Sequence, residues 1–180
     1  SGWIHGAMPC LPLSRKNHRM TDTLAPGSTI GILGGGQLGR MLSVAAARLG
    51  FQTHIFEPGA HPPAAHVATH TTTAAYEDHA ALTAFANSVD VVTYEFENVP
   101  AEALDLIESL CPIRPNRRAL SVSQDRLTEK TFLQDLGIAT APFADITSVE
   151  DLTQAIATIG TPSILKTRRF GYDGKGQVRL

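Results

Sequence analysis

Two glycine loops, a pair of carboxylates and a cluster of cations are the parts of this sequence that could do chemistry. Gly34-Gly35-Gly36-Gln37-Leu38-Gly39 carries glycine at 34, 36 and 39, the GxGxxG spacing. Such a loop brings backbone N–H groups at a helix start close to a ligand's phosphate; a tight strand-to-helix turn without a ligand is the plainer alternative. Glu57 falls where the ribose-binding acid of a dinucleotide fold would sit, although a solvated glutamate is the simpler reading of that residue alone. Glu95 and Glu97 share one side if their strand continues, and two carboxylates facing a phosphate loop could grip an amine or act as a base. Exposed acids on a turn remain the alternative, more so for Glu97. Further on, Lys166 precedes Gly171-Tyr172-Asp173-Gly174-Lys175-Gly176-Gln177. Lys166, Arg168, Arg169, Lys175 and Arg179 there face a single acid, Asp173. A glycine-spaced loop with that charge suits a polyphosphate, though a mobile loop with solvated charges is the bland reading. The spacing is not GxxxxGK[ST], so a P-loop is not indicated.

These residues need elements to hold them. Thr29-Ile30-Gly31-Ile32-Leu33 reads as a buried strand, and residues 37–49 as a helix with Leu38, Met41, Leu42, Ala45 and Leu49 at helical spacing. Gly50 stands where a helix-ending glycine belongs. Residues 53–56 and 90–94 read as strands, and 76–87 and 100–110 as helices, the last opening on proline. Strands alternating with helices imply βαβ units, hence an α/β, doubly wound parallel sheet over residues 29–115. The pattern changes after that. Residues 125–136 form a charged amphipathic helix, 149–159 a helix with Ser148 as N-cap, 163–166 a strand and 178–180 the beginning of another. A second domain over 116–180 is therefore expected to be truncated. Residues 1–28 contain Trp3, several prolines and a small basic cluster without periodicity; they read as a disordered tail, appended remnant or upstream extension rather than a targeting peptide.

Composition sets outer bounds. The chain has 180 residues, 43% hydrophobic and 18% charged, with a net charge of −2. That is enough for a core, too apolar for a disordered chain, and unlike a dedicated nucleic-acid or membrane-surface binder. No apolar run approaches a membrane span. His61, His66, His70 and His79 lack the companion ligands of a metal site. Cys10 and Cys111 fit neither a disulfide scaffold nor a catalytic arrangement, and suit a reducing cytosol.

Together, GILGGGQLGRML, VVTYEFENVP, QDRLTEK and ILKTRRFGYDGKGQ, in this order and spacing, closely resemble 5-(carboxyamino)imidazole ribonucleotide synthetase. This family is the ATP-grasp enzyme of purine biosynthesis, also called the ATPase subunit of phosphoribosylaminoimidazole carboxylase. The similarity covers residues 29–180, and members are longer. It implies a Rossmann-like pre-ATP-grasp domain followed by the beginning of an ATP-grasp domain.

Residue by residue, the resemblance implies that ATP meets Arg126, Lys166 and the loop Gly171, Tyr172, Asp173, Gly174, Lys175, Gly176 and Gln177. It implies that the ribonucleotide is held by Gly36, Gln37, Leu38 and Glu95, and that Glu95, Tyr172 and Lys175 stand nearest the reacting groups. The implied reaction joins 5-aminoimidazole ribonucleotide to bicarbonate at the expense of ATP. Phosphorylated bicarbonate, carboxyphosphate, delivers carbon dioxide to the amine. Mg2+ is implied, with its ligands in a later part of the family's length and none here. A cytoplasmic enzyme, homodimeric at full length and inactive as this piece alone, is the resulting expectation. An NAD(P)-binding oxidoreductase module, a non-catalytic ligand-binding remnant, and related ATP-grasp formyltransferases or carboxylases are the competing readings.

Overall fold

The structure is a computed structural model that describes residues 23–171 and 174–180. The expected tail, residues 1–28, lies mostly outside the described residues, as do Cys10, Tyr172 and Asp173. Four strands, β1 (Thr29–Leu33), β2 (Gln52–Glu57), β3 (His70–Thr73) and β4 (Val91–Tyr94), form a parallel sheet in the order β3-β2-β1-β4. The chain winds outward through β2 to β3, then crosses back to lay β4 on the other side of β1. Ile113 adds a further parallel bridge to Val92. Successive strand residues point to opposite faces, and the core divides accordingly. Ile30, Ile32 and Ile55 pack with Ala64 and Ala68 on one face. On the other, Leu33, Phe56 and Val92 pack with Leu82 and Phe85 of α2 (His79–Asn87) and Leu104 and Ile107 of α3 (Ala101–Leu110). This is the doubly wound parallel sheet that the alternating pattern implies.

Helix α1 (Gln37–Arg48) has the expected period but turns a different face to the sheet. Its buried residues are Gly39, Ser43 and Ala46, while Leu38 and Met41 are 58% and 59% exposed. The reason is closeness: a Cβ on Gly39 would lie 2.7 Å from the carbonyl oxygen of Gly34. Only small residues fit where the helix crosses the loop that precedes it, so the large apolar stripe is left facing outward. Helix α2 begins later than its apolar pattern suggests, because Asp78 caps it by accepting from the N–H of Ala81 at 2.9 Å. Strand β3 is not legible as a strand, since its His-Thr-Thr-Thr sequence carries no apolar alternation; it is the sheet's polar edge.

The remaining elements are α4 (Arg117–Ser123), α5 (Arg126–Asp135), α6 (Val149–Ile159), β5 (Ile164–Lys166) and β6 (Gln177–Arg179). The strand expected to be just beginning at 178 pairs antiparallel with β5, placing Lys166 opposite Gln177. Helix α6 carries a capping box, Ser148 and Asp151 each accepting from the other's N–H. No described residue after Leu120 is buried. Local signals such as caps and a hairpin thus shape the second part, whereas burial shapes the first. Amide hydrogen exchange is expected to separate them: β1, β2, β4 and α3 exchange only on global unfolding, and α6 and the β5–β6 hairpin exchange orders of magnitude faster. Equal protection in both parts, measured by mass spectrometry, would contradict this.

One polar group inside the sheet layer responds to pH. His54 on β2 packs edge-on against Phe85 and hydrogen bonds Ser88 through Nδ1 and Thr72 through Nε2, both at 2.8 Å. Ser88 donates its own proton to the carbonyl of Phe85, so it accepts from Nδ1–H, and Thr72 donates to an unprotonated Nε2. Burial, and then the neighbouring His70, lower the pKa of His54 from its ordinary 6.5. Its contribution to stability is therefore complete above pH 6.5 and falls away as acidification protonates the unfolded chain first. Chemical denaturation midpoints are expected to drop between pH 7 and 5, and His54→Gln to flatten that dependence.

Candidate active site

Strands β1 and β4 are neighbours whose crossovers run in opposite directions, so a crevice opens outside their carboxyl ends. The first glycine loop lies there, directly after β1. Its backbone is held from both sides: Gly34 donates to the carbonyl of Phe56, and Glu95 donates its N–H to that of Leu33, each at 3.0 Å. Two side chains then reach into the loop. Glu57 Oε2 accepts from the N–H of Gly35 at 2.8 Å, and Glu95 Oε1 accepts from the N–H of Gly36 at 2.8 Å. Close approach favours glycine throughout the loop. A Cβ on Gly34 or Gly36 would meet the Glu95 carboxyl group or its methylene at 2.8–2.9 Å, and one on Gly35 would meet Pro62 at 2.6 Å. Gly34 also has φ +106°.

The expectation that these N–H groups cradle a phosphate is thus only partly met by the geometry. Those of Gly35 and Gly36 hold carboxylates instead. The N–H groups left for an anion are those of Gln37, Leu38 and Gly39, the first turn of α1, which has no side-chain cap and no acidic residue. Glu57 is a brace: its second oxygen accepts from the N–H of Gly59 at 2.9 Å. Glu95 differs, because Oε2 takes no hydrogen bond among the described residues. Strand β4 ends at Tyr94, so Glu97 lies on a turn and does not share a strand face with Glu95.

The second glycine loop closes the β5–β6 hairpin. Thr167 donates its N–H to the carbonyl of Gly176 at 2.8 Å, and a Cβ on Gly176 would strike the Thr167 hydroxyl oxygen at 2.5 Å. A cavity of about 170 Å³ is lined by Arg126, Lys166, Gly171, Gly174, Lys175, Gly176 and Gln177. Ligand pockets commonly run to several hundred Å³, so this one has room for a phosphate chain rather than a whole nucleotide. Arg126 comes from the first turn of α5 and donates to the carbonyl of Gly171 at 2.9 Å, across 45 positions of sequence. Seven of the expected ATP-contacting residues therefore line one cavity; Tyr172 and Asp173 lie outside the described residues.

What fixes this arrangement was not visible in the motifs. Asp125 caps α5, accepting from the N–H groups of Leu127 and Thr128, and also receives Nε and Nη2 of Arg168 at 3.0 and 3.1 Å. Desolvation works against ionising this carboxyl, but the Thr128 N–H and Arg168 outweigh it and hold the pKa below the usual carboxylate range. Arg169 donates to Gln124 Oε1 at 2.9 Å, and Gln124 Nε2 donates to the carbonyl of Val99 at 2.9 Å. Two of the five cations are thus spent on tying the loop down, with Lys166 and Lys175 at the cavity. The Gln124 bridge also joins the second loop to the segment that carries Glu95. An Asp before an Arg at a helix start, with arginines beyond a strand, was the available signal; nothing local pairs them.

Among the described residues no group of three or more His, Cys, Asp or Glu could hold a metal ion. His66 sits 3.5 Å from Arg40 rather than beside another ligand. Burial, then Asp90, push the Cys111 thiol up to about 11, which suits a packing residue and not a nucleophile. No described helix is long and apolar enough to cross a membrane.

Residues 27–124 match the family described as "Ribonucleotide synthetase preATP-grasp domain", and residues 131–180 match "ATP-grasp domain". The chain is 55% identical over 158 residues to the N5-carboxyaminoimidazole ribonucleotide synthase of Brucella melitensis, covering 88% of this chain and 44% of that protein. It is 54% identical over 157 residues to the bifunctional purine synthesis protein purC/E of Dictyostelium discoideum, covering 87% and 16%. The solved ADP complex of an N5-carboxyaminoimidazole ribonucleotide synthetase superposes with a TM-score of 0.84 at 43% identity, over 89% of this chain and 43% of that one. The Aspergillus clavatus synthase, solved with ADP and 5-aminoimidazole ribonucleotide, gives 0.75 at 30% identity, over 86% and 40%. The chain therefore spans less than half the length of these relatives. With a parallel sheet ending in a carboxylate-filled glycine loop, and a cationic hairpin loop joined to it through Gln124, the chain belongs to the ribonucleotide synthetase pre-ATP-grasp family and is a homologue of the N5-carboxyaminoimidazole ribonucleotide synthetases.

Proposed function

We propose that this chain is the ligand-binding N-terminal part of an ATP-dependent ligase that carboxylates 5-aminoimidazole ribonucleotide with bicarbonate, releasing ADP and phosphate. The observation that carries this reading is the meeting of Arg126, Lys166, Gly171 and residues 174–177 around one phosphate-sized cavity. Support comes from relatives named for that synthesis and from one solved with ADP and the ribonucleotide.

The division of labour follows from the residues. Lys166, Arg126 and Lys175 supply positive charge to the ATP phosphates, and the N–H groups of the glycine loop add fixed dipoles. A bicarbonate oxygen attacks the terminal phosphorus, ADP departs, and the carboxyphosphate breaks to carbon dioxide and phosphate. The amine of the ribonucleotide forms the new C–N bond and loses a proton. Glu95 orients that amine through its unengaged Oε2 while Gly36 holds Oε1. Gln37 and Leu38 offer first-turn N–H groups to the ribonucleotide's phosphate. The family resemblance assigns Tyr172 and Lys175 to the reacting carbonate. Among the described residues the cavity lining is cationic and offers no carboxylate, so these residues fit phosphate oxygens and not Mg2+; the ligands of the reaction's Mg2+ are not among them. A homodimer working in the cytoplasm completes the proposal. The dinucleotide alternative is weakened by Glu57, whose two oxygens are already committed to Gly35 and Gly59.

The test is release of phosphate from ATP on the longest polypeptide carrying this sequence. Dependence on both bicarbonate and 5-aminoimidazole ribonucleotide is expected. Dependence on formate, or binding of NAD(H) without ATP, would overturn the reading. Within it, Lys166→Ala is expected to raise KM for ATP about 10- to 100-fold, the scale of a lost charged hydrogen bond, with KM for the ribonucleotide within about twofold. Glu95→Gln is expected to do the reverse. Equal loss for both substrates in either variant would refute the assignment.

A further inference from the structure

The core beneath the ends of β2 and β4 holds a polar group that the proposed chemistry leaves unused. Tyr76, just before α2, is 6% exposed, and its hydroxyl makes no hydrogen bond among the described residues. A buried hydroxyl left unpaired is costly and calls for a partner. The ring is fixed in place. It stacks on Phe96 with planes 6° apart and centroids 6.2 Å apart, and lies 5.5 Å from Phe56. Phe56 precedes Glu57 and Phe96 follows Glu95, so the two rings hold the phenol at the strand ends bearing both carboxylates. Burial, then Glu57 and Glu95, push its pKa further above the ordinary tyrosine value, so the phenol keeps its proton and can only donate to an anion. The two acids are not equivalent acceptors. Glu57 has both oxygens on backbone N–H groups, whereas Glu95 has one oxygen on Gly36 and the other unengaged.

We propose that Tyr76 is a positioning residue for Glu95: its O–H donates to Oε2 while the N–H of Gly36 holds Oε1, clamping the carboxylate from both sides in the orientation that meets the ribonucleotide. The ring is held by its stack on Phe96, so the clamp forms by movement of the Glu95 carboxyl group toward it. Tyr76 itself is too buried to touch a ligand, so it acts through Glu95 alone. The identity of the ligand rests on the function proposed above; the clamp does not.

Two measurements on the 180-residue chain test it. With tyrosine labelled at Cζ with carbon-13, the Tyr76 resonance is expected to move in Glu95→Gln, and an unmoved resonance would overturn the clamp whether or not any ligand binds. By calorimetry, Tyr76→Phe is expected to weaken binding of 5-aminoimidazole ribonucleotide about five- to tenfold, with ATP binding within about twofold. Unaltered ribonucleotide binding in Tyr76→Phe would overturn the positioning role. So would a fall in Tm with parallel loss of both ligands, because the hydroxyl would then be serving the fold. If Glu95→Gln moves the Tyr76 resonance but the wild-type chain binds no ribonucleotide, the clamp stands and the result counts against the proposed function.

Discussion

Two carboxylates seated on backbone N–H groups set the shape of the first site. A charge-assisted bond from Gly35 to Glu57 and another from Gly36 to Glu95 cross from the ends of β2 and β4 to the loop after β1. Such bonds leave little room for a side chain beside them at Gly34 and Gly36, and Pro62 crowds Gly35. They also change the electrostatics of a loop that, in isolation, would present only positive dipoles. A phosphate approaching it meets two negative groups at Gly35 and Gly36 and finds open donors one step later, at the start of α1. The loop therefore sorts a ligand by polarity. Its anionic end belongs at the helix and its donor groups at Glu95.

The second site is built differently. Its cavity is formed by a hairpin loop with little burial, and order comes from polar ties to the start of α5. Asp125 serves three partners at once, two helix N–H groups and Arg168, while Arg126 reaches the loop carbonyl at Gly171. Surface ion pairs of this kind contribute little to stability on their own. Here their effect is geometric, because a bidentate arginine and a helix cap fix both the direction and the distance of the loop. Arg168 and Arg169 act as fasteners, and the cavity charge is left to Arg126, Lys166 and Lys175.

The strand and helix pattern of residues 29–110 was legible because burial dictates it: Ile and Leu recur where the sheet needs them, and glycine and proline punctuate the joints. The face of α1 was not legible. Its apolar stripe is larger than the gap at Gly34 allows, so close approach overrode hydrophobicity. Strand β3 escaped notice because an edge strand can be made of threonine and histidine, and α4 because its seven residues carry little periodicity. At the candidate sites, the glycine spacing and the basic excess mark the segments from which the first loop and the cavity are built. The partners did not follow from them, since Glu95 meets Gly36 across 59 positions and Arg168 meets Asp125 across 43.

The two sites also differ in what ligand binding must accomplish. The first loop is continuous with β1 and flanked by buried residues on both faces of the sheet, so its groups are already held before a ligand arrives. The second loop belongs to elements without a buried residue, and part of any nucleotide's binding energy there goes into ordering the hairpin. Gln124 connects these unequal partners, with its carbonyl oxygen on Arg169 and its amide nitrogen on Val99. That amide is anchored on Val99, a buried residue four positions beyond Glu95. A single side chain thus spans the interval between the two loops.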